Sequence, residues 1–239
     1  MEREKAVLLL GGARRFAWKA LIVVALSGAV SFAFSKGLLR LLLKAAHVKI
    51  YFLSLPEVFL SSVELSIYAG VFFAVPFIVF LAWHEFHGVT GLKRLQGYAF
   101  ALAAILLFYG GGLFCYTIVL PSGIGFLVDF GKGNNIVAMI SMERFVAFCS
   151  GMIFACSAAF EIPIILLLLS KMGLVRAKTL SKTRRYAMLV IAIASALITP
   201  TPDLYNMALI AVPMYILYEV GILLMRISEP RGQSTGQGG

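Results

Sequence analysis

The sequence is short of charge and of cysteine, and each shortage excludes a class of protein. Of its 239 residues, 13% are charged and 61% are hydrophobic, with a mean hydropathy of +0.94. This composition is too apolar for a soluble domain, and it predicts one domain that crosses a membrane several times. The three cysteines, Cys115, Cys149 and Cys156, lie in apolar segments without paired spacing. They are predicted to be small core residues rather than a disulfide framework or a zinc site.

Acidic residues are scarcer than basic ones, since 11 Asp and Glu against 21 Lys and Arg give a net charge of +10. In a soluble protein this balance would suggest nucleic-acid binding. Here the basic residues lie between apolar segments, where they determine membrane topology. The bilayer is therefore the expected surroundings, and neither a nucleic-acid partner nor a cofactor is expected.

Six apolar segments are predicted to cross the membrane, which makes the fold class all-α. They cover residues of about 16–34, 65–83, 98–120, 145–169, 186–198 and 204–225. Pro121 is expected to end the third. The fifth would reach only about 20 Å as a helix, so the fifth and sixth are predicted to form a short hairpin in a thinned, partly wet region. The domain covers residues 1–227, and a flexible tail rich in Gly, Gln and Ser follows at 228–239.

The flanking charges predict the orientation of the chain. Fifteen basic residues fall on the side that holds both termini and six on the other, so both termini are predicted to be cytoplasmic. The segment from Met1 to Lys19 is predicted to be a basic amphipathic lead-in at the membrane surface. Between the first two spans, Arg40 and Lys44 lie four residues apart in an apolar segment, which predicts an interfacial helix over residues 37–47.

One carboxylate lies inside the fourth predicted span. An ionisable side chain at the centre of a span costs roughly 2.5 to 3.5 kcal/mol, so Glu161 is expected to face protein or a water-filled cavity. Pro163 removes an amide donor within the same turn, which predicts a kink beside the charge. The helical repeat before Glu161 gives a mostly small face suited to close helix packing: Ser157, Phe154, Ser150 and Ala147. Glu161 is interpreted as functional, and the alternative is a packing residue satisfied by a neighbouring hydroxyl.

The second half contains several distinctive motifs, namely Phe160-Glu161-Ile162-Pro163, Gly173, Arg184-Arg185-Tyr186, Thr199-Pro200-Thr201-Pro202-Asp203, Pro213 and Tyr218-Glu219. Together they resemble the TatC family, the multispanning core of the twin-arginine protein translocase. The first half matches more loosely, through the segment from Leu53 to Phe59 and through Gly70 and Pro76. The resemblance implies a glove-like six-helix fold in the bacterial inner membrane.

The resemblance also implies a function without covalent chemistry. Such a subunit joins single-span partners similar to TatA or TatB in a homo- or hetero-oligomer, and it exports folded proteins with twin-arginine signal peptides, driven by the proton gradient. The implied contacts with partners in the groove are Glu161, Pro163, Pro200, Asp203, Tyr218 and Glu219. The implied periplasmic cap contains Pro56, Glu57 and Phe59, and the implied signal-peptide region contains Arg14 and Glu85.

The chain departs from the family where signal peptides bind. The family's H-L-x-E-L-R motif corresponds to residues 9–14, where Gly12 replaces the carboxylate and Arg14 remains. In the next cytoplasmic loop the family has a Pro and a Glu, whereas residues 89–96 contain neither and Lys93 lies close to the position of the carboxylate. Because a bidentate arginine site needs carboxylates, weak recognition of twin arginines is expected.

Two other functions remain open alongside the translocase subunit. One is a TatC-like paralogue that scaffolds partners without binding signal peptides. The other is a small proton-coupled solute transporter that uses Glu161, although no repeat or second midplane charge supports it. A metal site formed by His84, Glu85 and His87 lacks a further ligand nearby in the sequence, so these residues are interpreted as interfacial.

Overall fold

The computed structural model describes residues 2–46, 50–51, 54, 56–90, 94–132, 140–171, 175, 177–199 and 203–228. Within these ranges it describes the side chains from residue 14 onward, apart from 45–51, 85–96 and 130–132. The first half contains helices α1 (Glu2–Ala33), α2 (Ser35–Ala46), α3 (Glu57–Thr90) and α4 (Arg94–Phe114), a π-helical turn (Cys115–Val119) and α5 (Leu120–Lys132). The second half contains α6 (Met142–Phe160), α7 (Ile162–Lys171), α8 (Ala177–Lys182), α9 (Arg184–Ile198) and α10 (Leu204–Ser228). Two short strands, β1 (Ile50–Tyr51) and β2 (Ile140–Ser141), pair in parallel.

Among the described residues, five helical segments are long and apolar enough to cross a membrane. They are Arg14–Ala33, Glu57–His84, Gly97–Asp129, Met142–Lys171 and Leu204–Ile227. Helix α9 has 15 residues and reaches about 22 Å, less than the roughly 30 Å of hydrocarbon, as the sequence predicted for the fifth span. Helix α10 is longer than predicted, with 25 residues, so only the first arm of the predicted hairpin is short. The count of six spans stays a prediction.

Helix α1 continues from the lead-in into the first span without a break. Gly11 and Gly12 lower helix propensity, but the 32-residue helix passes through them, so no separate surface helix precedes the span. Further along, α1 packs closely on α3. A Cβ added to Gly70 would lie 2.6 Å from the Cα of Gly28, so the two backbones touch at this crossing.

The third predicted span does not end at Pro121, which corrects the expectation from the sequence. The π-helical turn ends two residues before Pro121, and the amide of Leu120 donates to the carbonyl of Cys115. Pro121 is then the second residue of α5, in a helix that continues from α4 through the wider turn. The wider turn thus lets the chain stay helical to Lys132.

The glycines of the third span lie against the small face of the fourth, which was predicted to suit close helix packing. A Cβ on Gly111 would lie 2.8 Å from the Phe160 ring, and a Cβ on Gly112 would lie 2.9 Å from the Ser157 hydroxyl. Ser157 is fully buried. Helix α6 therefore lies directly against α4, in the turn before Glu161.

The core lies where α6, the π-helical turn and α10 come together with the buried side of α2. Its most buried members include Leu42, Val119, Leu120, Val146, Ile222 and the three cysteines. Cys115, Cys149 and Cys156 are at most 2% exposed, which confirms that they are core residues. Tyr116 donates to the carbonyl of Leu41 at 2.9 Å and so ties α2 to the π-helical turn. The helix predicted over residues 37–47 is found as α2, at Ser35–Ala46, and its location at the membrane interface stays a prediction.

A buried carboxylate joins the start of α3 to the start of α6. The amide of Ser54 donates to Glu57 Oε2 at 3.1 Å, which is half of a capping box, and Pro56 precedes the helix. The Ser141 hydroxyl donates to Oε1 of Glu57 at 2.6 Å, and the amide of Glu143 donates to the same oxygen at 3.3 Å. Glu57 is 3% exposed. Glu57, which the sequence placed in the periplasmic cap, therefore also accepts hydrogen bonds at the start of α6, next to the β1–β2 pair.

Candidate functional site

The fourth span breaks at Glu161, where the sequence predicted a kink. Helix α6 ends at Phe160 and α7 begins at Ile162, so Glu161 forms the turn between them. Its amide donates to the carbonyl of Ala158 at 3.2 Å, which tightens the last turn. The cause is Pro163, which cannot donate a helical hydrogen bond.

Helix α10 packs against one side of the fourth span at this break. A Cβ on Gly221 would lie 3.1 Å from the Cα of Pro163, so α10 approaches the backbone of α7 closely. Pro163 is buried in this contact. The turn at Glu161 is thus fixed by packing, and the carboxylate is held on the opposite side of the helix.

On that opposite side Glu161 lines an apolar cleft of about 300 Å³. Helices α3, α4 and α7 form its walls, through Val79, Ala82, Trp83, Gly97, Phe100, Ala101, Ala104, Ile164, Ile165 and Leu168. The Trp83 ring lies on Gly97, where an added Cβ would approach within 1.6 Å of it. Glu161 is the only carboxylate among the described residues of the lining.

One oxygen of this carboxylate is buried without a partner. Oε1 of Glu161 accepts no hydrogen bond from any residue that the structure describes. A buried acceptor left in this state costs free energy, so it marks a place where a donor from another molecule is favoured. The cleft therefore combines apolar walls with a single unpaired acceptor. This arrangement suits an apolar helix that carries one polar group.

Tyr218 and Glu219, predicted as groove residues, lie elsewhere. Arg184 donates to Glu219 at 2.8 Å, and the Tyr215 hydroxyl donates to the same carboxylate at 3.0 Å. The Tyr218 hydroxyl donates to the carbonyl of Leu180 at 3.1 Å. The two sequence motifs Arg-Arg-Tyr and Tyr-Glu thus meet each other, at the junction of α8, α9 and α10, and not in the lining of the Glu161 cleft.

Asp203 lies at the start of α10. Its carboxylate accepts hydrogen bonds from the backbone amide of Asn206 at 2.8 Å and from the side-chain amide of Asn206 at 3.0 Å, so Asp203 caps this helix. Sixteen residues of helix separate it from Glu219, about 24 Å. Pro200 lies outside the described residues. The structure therefore places the predicted groove residues in three separate locations.

The predicted signal-peptide and cap residues are placed only in part. Arg14 is exposed on α1, whereas the side chain of Glu85 lies outside the described part of the chain. In the cap, Phe59 is 62% exposed and its ring meets that of Phe32 edge-on at 6.4 Å. Within the described residues, no three His, Cys, Asp or Glu side chains are grouped to hold a metal ion.

Sequence reasoning missed the partners that shape the site. Trp83 forms a wall of the cleft against Gly97, a contact that was not predicted from the sequence. The pairing of Arg184 with Glu219 was also missed, because 35 residues separate them. The sequence did contain one signal of the contact with Trp83. A glycine at position 97 of α4 leaves room for an indole ring from another helix.

The fold defines a class, a polytopic helical membrane protein. The sequence matches the family described as Sec-independent protein translocase protein (TatC) over residues 10–213. The chain belongs to the TatC family.

Individual relatives agree with this assignment. The chain is 38% identical over 169 residues to the Sec-independent protein translocase protein TatC of Deinococcus radiodurans, covering 70% of this chain and 62% of that protein. It is 36% identical over 174 residues to the TatC of Akkermansia muciniphila, covering 72% of this chain and 50% of that protein. The chain thus spans less than two thirds of the length of these relatives.

A solved structure shows the same fold. The crystal structure of the twin-arginine translocase receptor TatC in DDM superposes with a TM-score of 0.80 at 27% identity. The match covers 90% of this chain and 98% of the crystallised one. The all-α membrane fold expected from the sequence is therefore confirmed.

Proposed function

We propose that this chain is a TatC-type subunit of a Sec-independent translocase, which exports folded proteins across the bacterial cytoplasmic membrane. It works with single-span partners similar to TatA and TatB, and the proton gradient drives it. Both termini lie in the cytoplasm. Membership of the TatC family and the excess of basic residues near the termini support the proposal.

The cleft at Glu161 carries this proposal. Its apolar walls match the side chains of a single-span helix, and its buried, unpaired Oε1 matches one hydroxyl or amide donor on that helix. In hydrocarbon a polar group on a lone helix has few other partners, so the pair forms preferentially in the cleft. Glu161 therefore recognises a partner helix and fixes its depth.

The test is export of a folded twin-arginine reporter in cells that lack their own TatC. Glu161→Ala is expected to lower export and to abolish crosslinking of a partner helix to probes at Ile165 and Leu168 in the cleft wall. The matched control is Glu143→Ala, which removes an exposed carboxylate at the other end of the span. It should leave export and crosslinking unchanged. Unchanged crosslinking with lost solute flux would instead identify a proton-coupled transporter.

A second candidate is a TatC-like scaffold that does not bind signal peptides, and the substitutions at Gly12 and Lys93 favour it. Loss of two charge-assisted contacts, each worth roughly 1.5 to 3 kcal/mol, lowers affinity by about two to four powers of ten. Arg-Arg and Lys-Lys signal peptides are therefore expected to bind almost equally. Strong preference for Arg-Arg would reject the scaffold and direct attention to other cytoplasmic carboxylates, chiefly Glu2, Glu4 and Glu85.

A further inference from the structure

The amphipathic helix α2 carries a basic stripe that the proposed translocation function does not use. Lys36, Arg40 and Lys44 recur every fourth residue, so they share one face of the helix, and all three are exposed. None of them pairs with an acidic side chain in the described part of the chain. They lie at the opposite end of α1 from Arg14, on the side of the membrane that holds only six of the 21 basic residues. A concentration of half of these six on 12 residues points to a local anionic partner.

An apolar cavity of about 130 Å³ lies next to this stripe, on the neighbouring face of the same helix. Helix α2 contributes Leu38, Leu41 and Leu42, and α3 and α6 contribute the remaining walls. Leu41 and Phe73 are 53% and 46% exposed, so they form a rim that is open toward the hydrocarbon. Deeper in the cavity, Ser150 is 6% exposed.

The rim and the basic stripe are adjacent on the helix. Leu41 and Lys44 are three residues apart, so they lie one above the other on neighbouring turns. Lys44 thus stands beside the cavity mouth, and Arg40 continues the cationic surface. An anionic head at Lys44 and Arg40 with an apolar chain that passes Leu41 would match both features at once.

We propose that this site binds one anionic glycerophospholipid, whose phosphate lies on Arg40 and Lys44 and whose acyl chain enters the cavity between α2, α3 and α6. Charge complementarity selects the head group, since each Lys or Arg near the surface favours an anionic lipid over a zwitterionic one. The cavity selects a lipid over a free phosphate, because its lining is apolar. The bound lipid would pack α2 against the transmembrane helices.

Native mass spectrometry of the full chain in detergent tests this site, with dioleoyl phosphatidylglycerol and dioleoyl phosphatidylcholine as probes at equal concentration. Phosphatidylglycerol is expected to bind at least about tenfold more tightly. The double substitution Arg40→Ala/Lys44→Ala should remove this preference. Arg144→Ala removes an exposed charge near the start of α6, outside the cavity lining, and should preserve the preference.

Ser150→Leu tests the cavity separately from the charge. It fills the space and removes a buried hydroxyl that has no partner among the described residues, so the fold should tolerate it. Ser150→Leu is expected to weaken the binding of both lipids by a similar factor. Equal binding of the two lipids by the unmodified chain, an equal loss with Arg144→Ala, or unchanged binding with Ser150→Leu would each overturn the proposal. A lipid-free dimer that excludes both probes would show that a second copy covers the cavity, and it would also overturn it.

Discussion

Two carboxylates inside the helical domain, Glu57 and Glu161, have opposite surroundings. Glu57 is 3% exposed and accepts hydrogen bonds from Ser54, Ser141 and the amide of Glu143. Glu161 is less buried, yet its Oε1 accepts none from the described residues. The first carboxylate is saturated by its own chain, whereas the second leaves an acceptor for another molecule.

This difference separates a structural role from a binding role. A buried charge is retained for stability only when donors surround it, because an uncompensated one is costly. The donors around Glu57 come from two helix starts, so it holds the chain together. The cleft around Glu161 contains apolar side chains, so under the proposed function the cost of burying this carboxylate is recovered when a partner helix binds. The two sites should therefore respond differently to substitution.

The largest effect is expected for Glu57→Ala. The change leaves the Ser141 hydroxyl and two amides without their acceptor, so the free energy of unfolding should fall by about 3 kcal/mol or more. Denaturant unfolding in detergent measures it. Glu143→Ala is the control, because the side chain of Glu143 is exposed. If both changes cost the same, Glu57 does not have the structural role assigned to it.

A smaller loss in the free energy of unfolding is expected for Gly112→Ala. This change tests the packing that positions the turn before Glu161. The new Cβ would lie 2.8 Å from the Phe72 ring and 2.9 Å from the Ser157 hydroxyl, so α4 and α6 must separate slightly. Overpacking of this kind costs about 1 to 3 kcal/mol. Gly110→Ala is the matched control, because nothing lies within 4 Å of its Cβ, and it should be neutral or slightly stabilising.

For Glu161→Ala the sign of the stability change should reverse. Removal of an unpaired buried acceptor is expected to raise the free energy of unfolding by about 1 kcal/mol, while partner binding is lost. The same unfolding assay, without partner present, measures this change. A marked loss of stability would mean that Glu161 is saturated within its own chain, as Glu57 is.

The smallest effect is expected for Arg184→Ala. The Arg184–Glu219 pair has side chains that are 44% and 31% exposed, so solvent screens it and its contribution should be under about 1 kcal/mol. Comparison of unfolding at low and high salt provides the measurement. If Arg184→Ala lowered the free energy of unfolding as much as Glu57→Ala, exposure would not distinguish the interactions of Glu219 from those of Glu57.

The sequence predicted those features that depend on composition and local pattern. The apolar segments, the short helix between the first two spans, the short fifth segment and the break at Glu161 all follow from residues close together in the chain. Features that depend on distant residues were missed. Ser141 lies 84 residues from Glu57, and Trp83 forms a cleft wall only because α3 folds back beside α4. Pro121 misled the prediction because a π-helical turn leaves no simple sequence pattern.

The π-helical turn also has a consequence for the chain's tolerance of changes in length. It contains one residue more than an α-helical turn would, so α5 is rotated by about 100° relative to an uninterrupted extension of α4. Val119 and Leu120 are both fully buried, at the junction where the two registers meet. Deletion of one residue within Cys115–Val119 would keep both flanking helices on their present faces, but it would also place Pro121 in an α-helix without the wider turn, where its ring meets the carbonyl four residues before it. A deletion elsewhere in α4 or α5 would turn part of a buried face toward lipid.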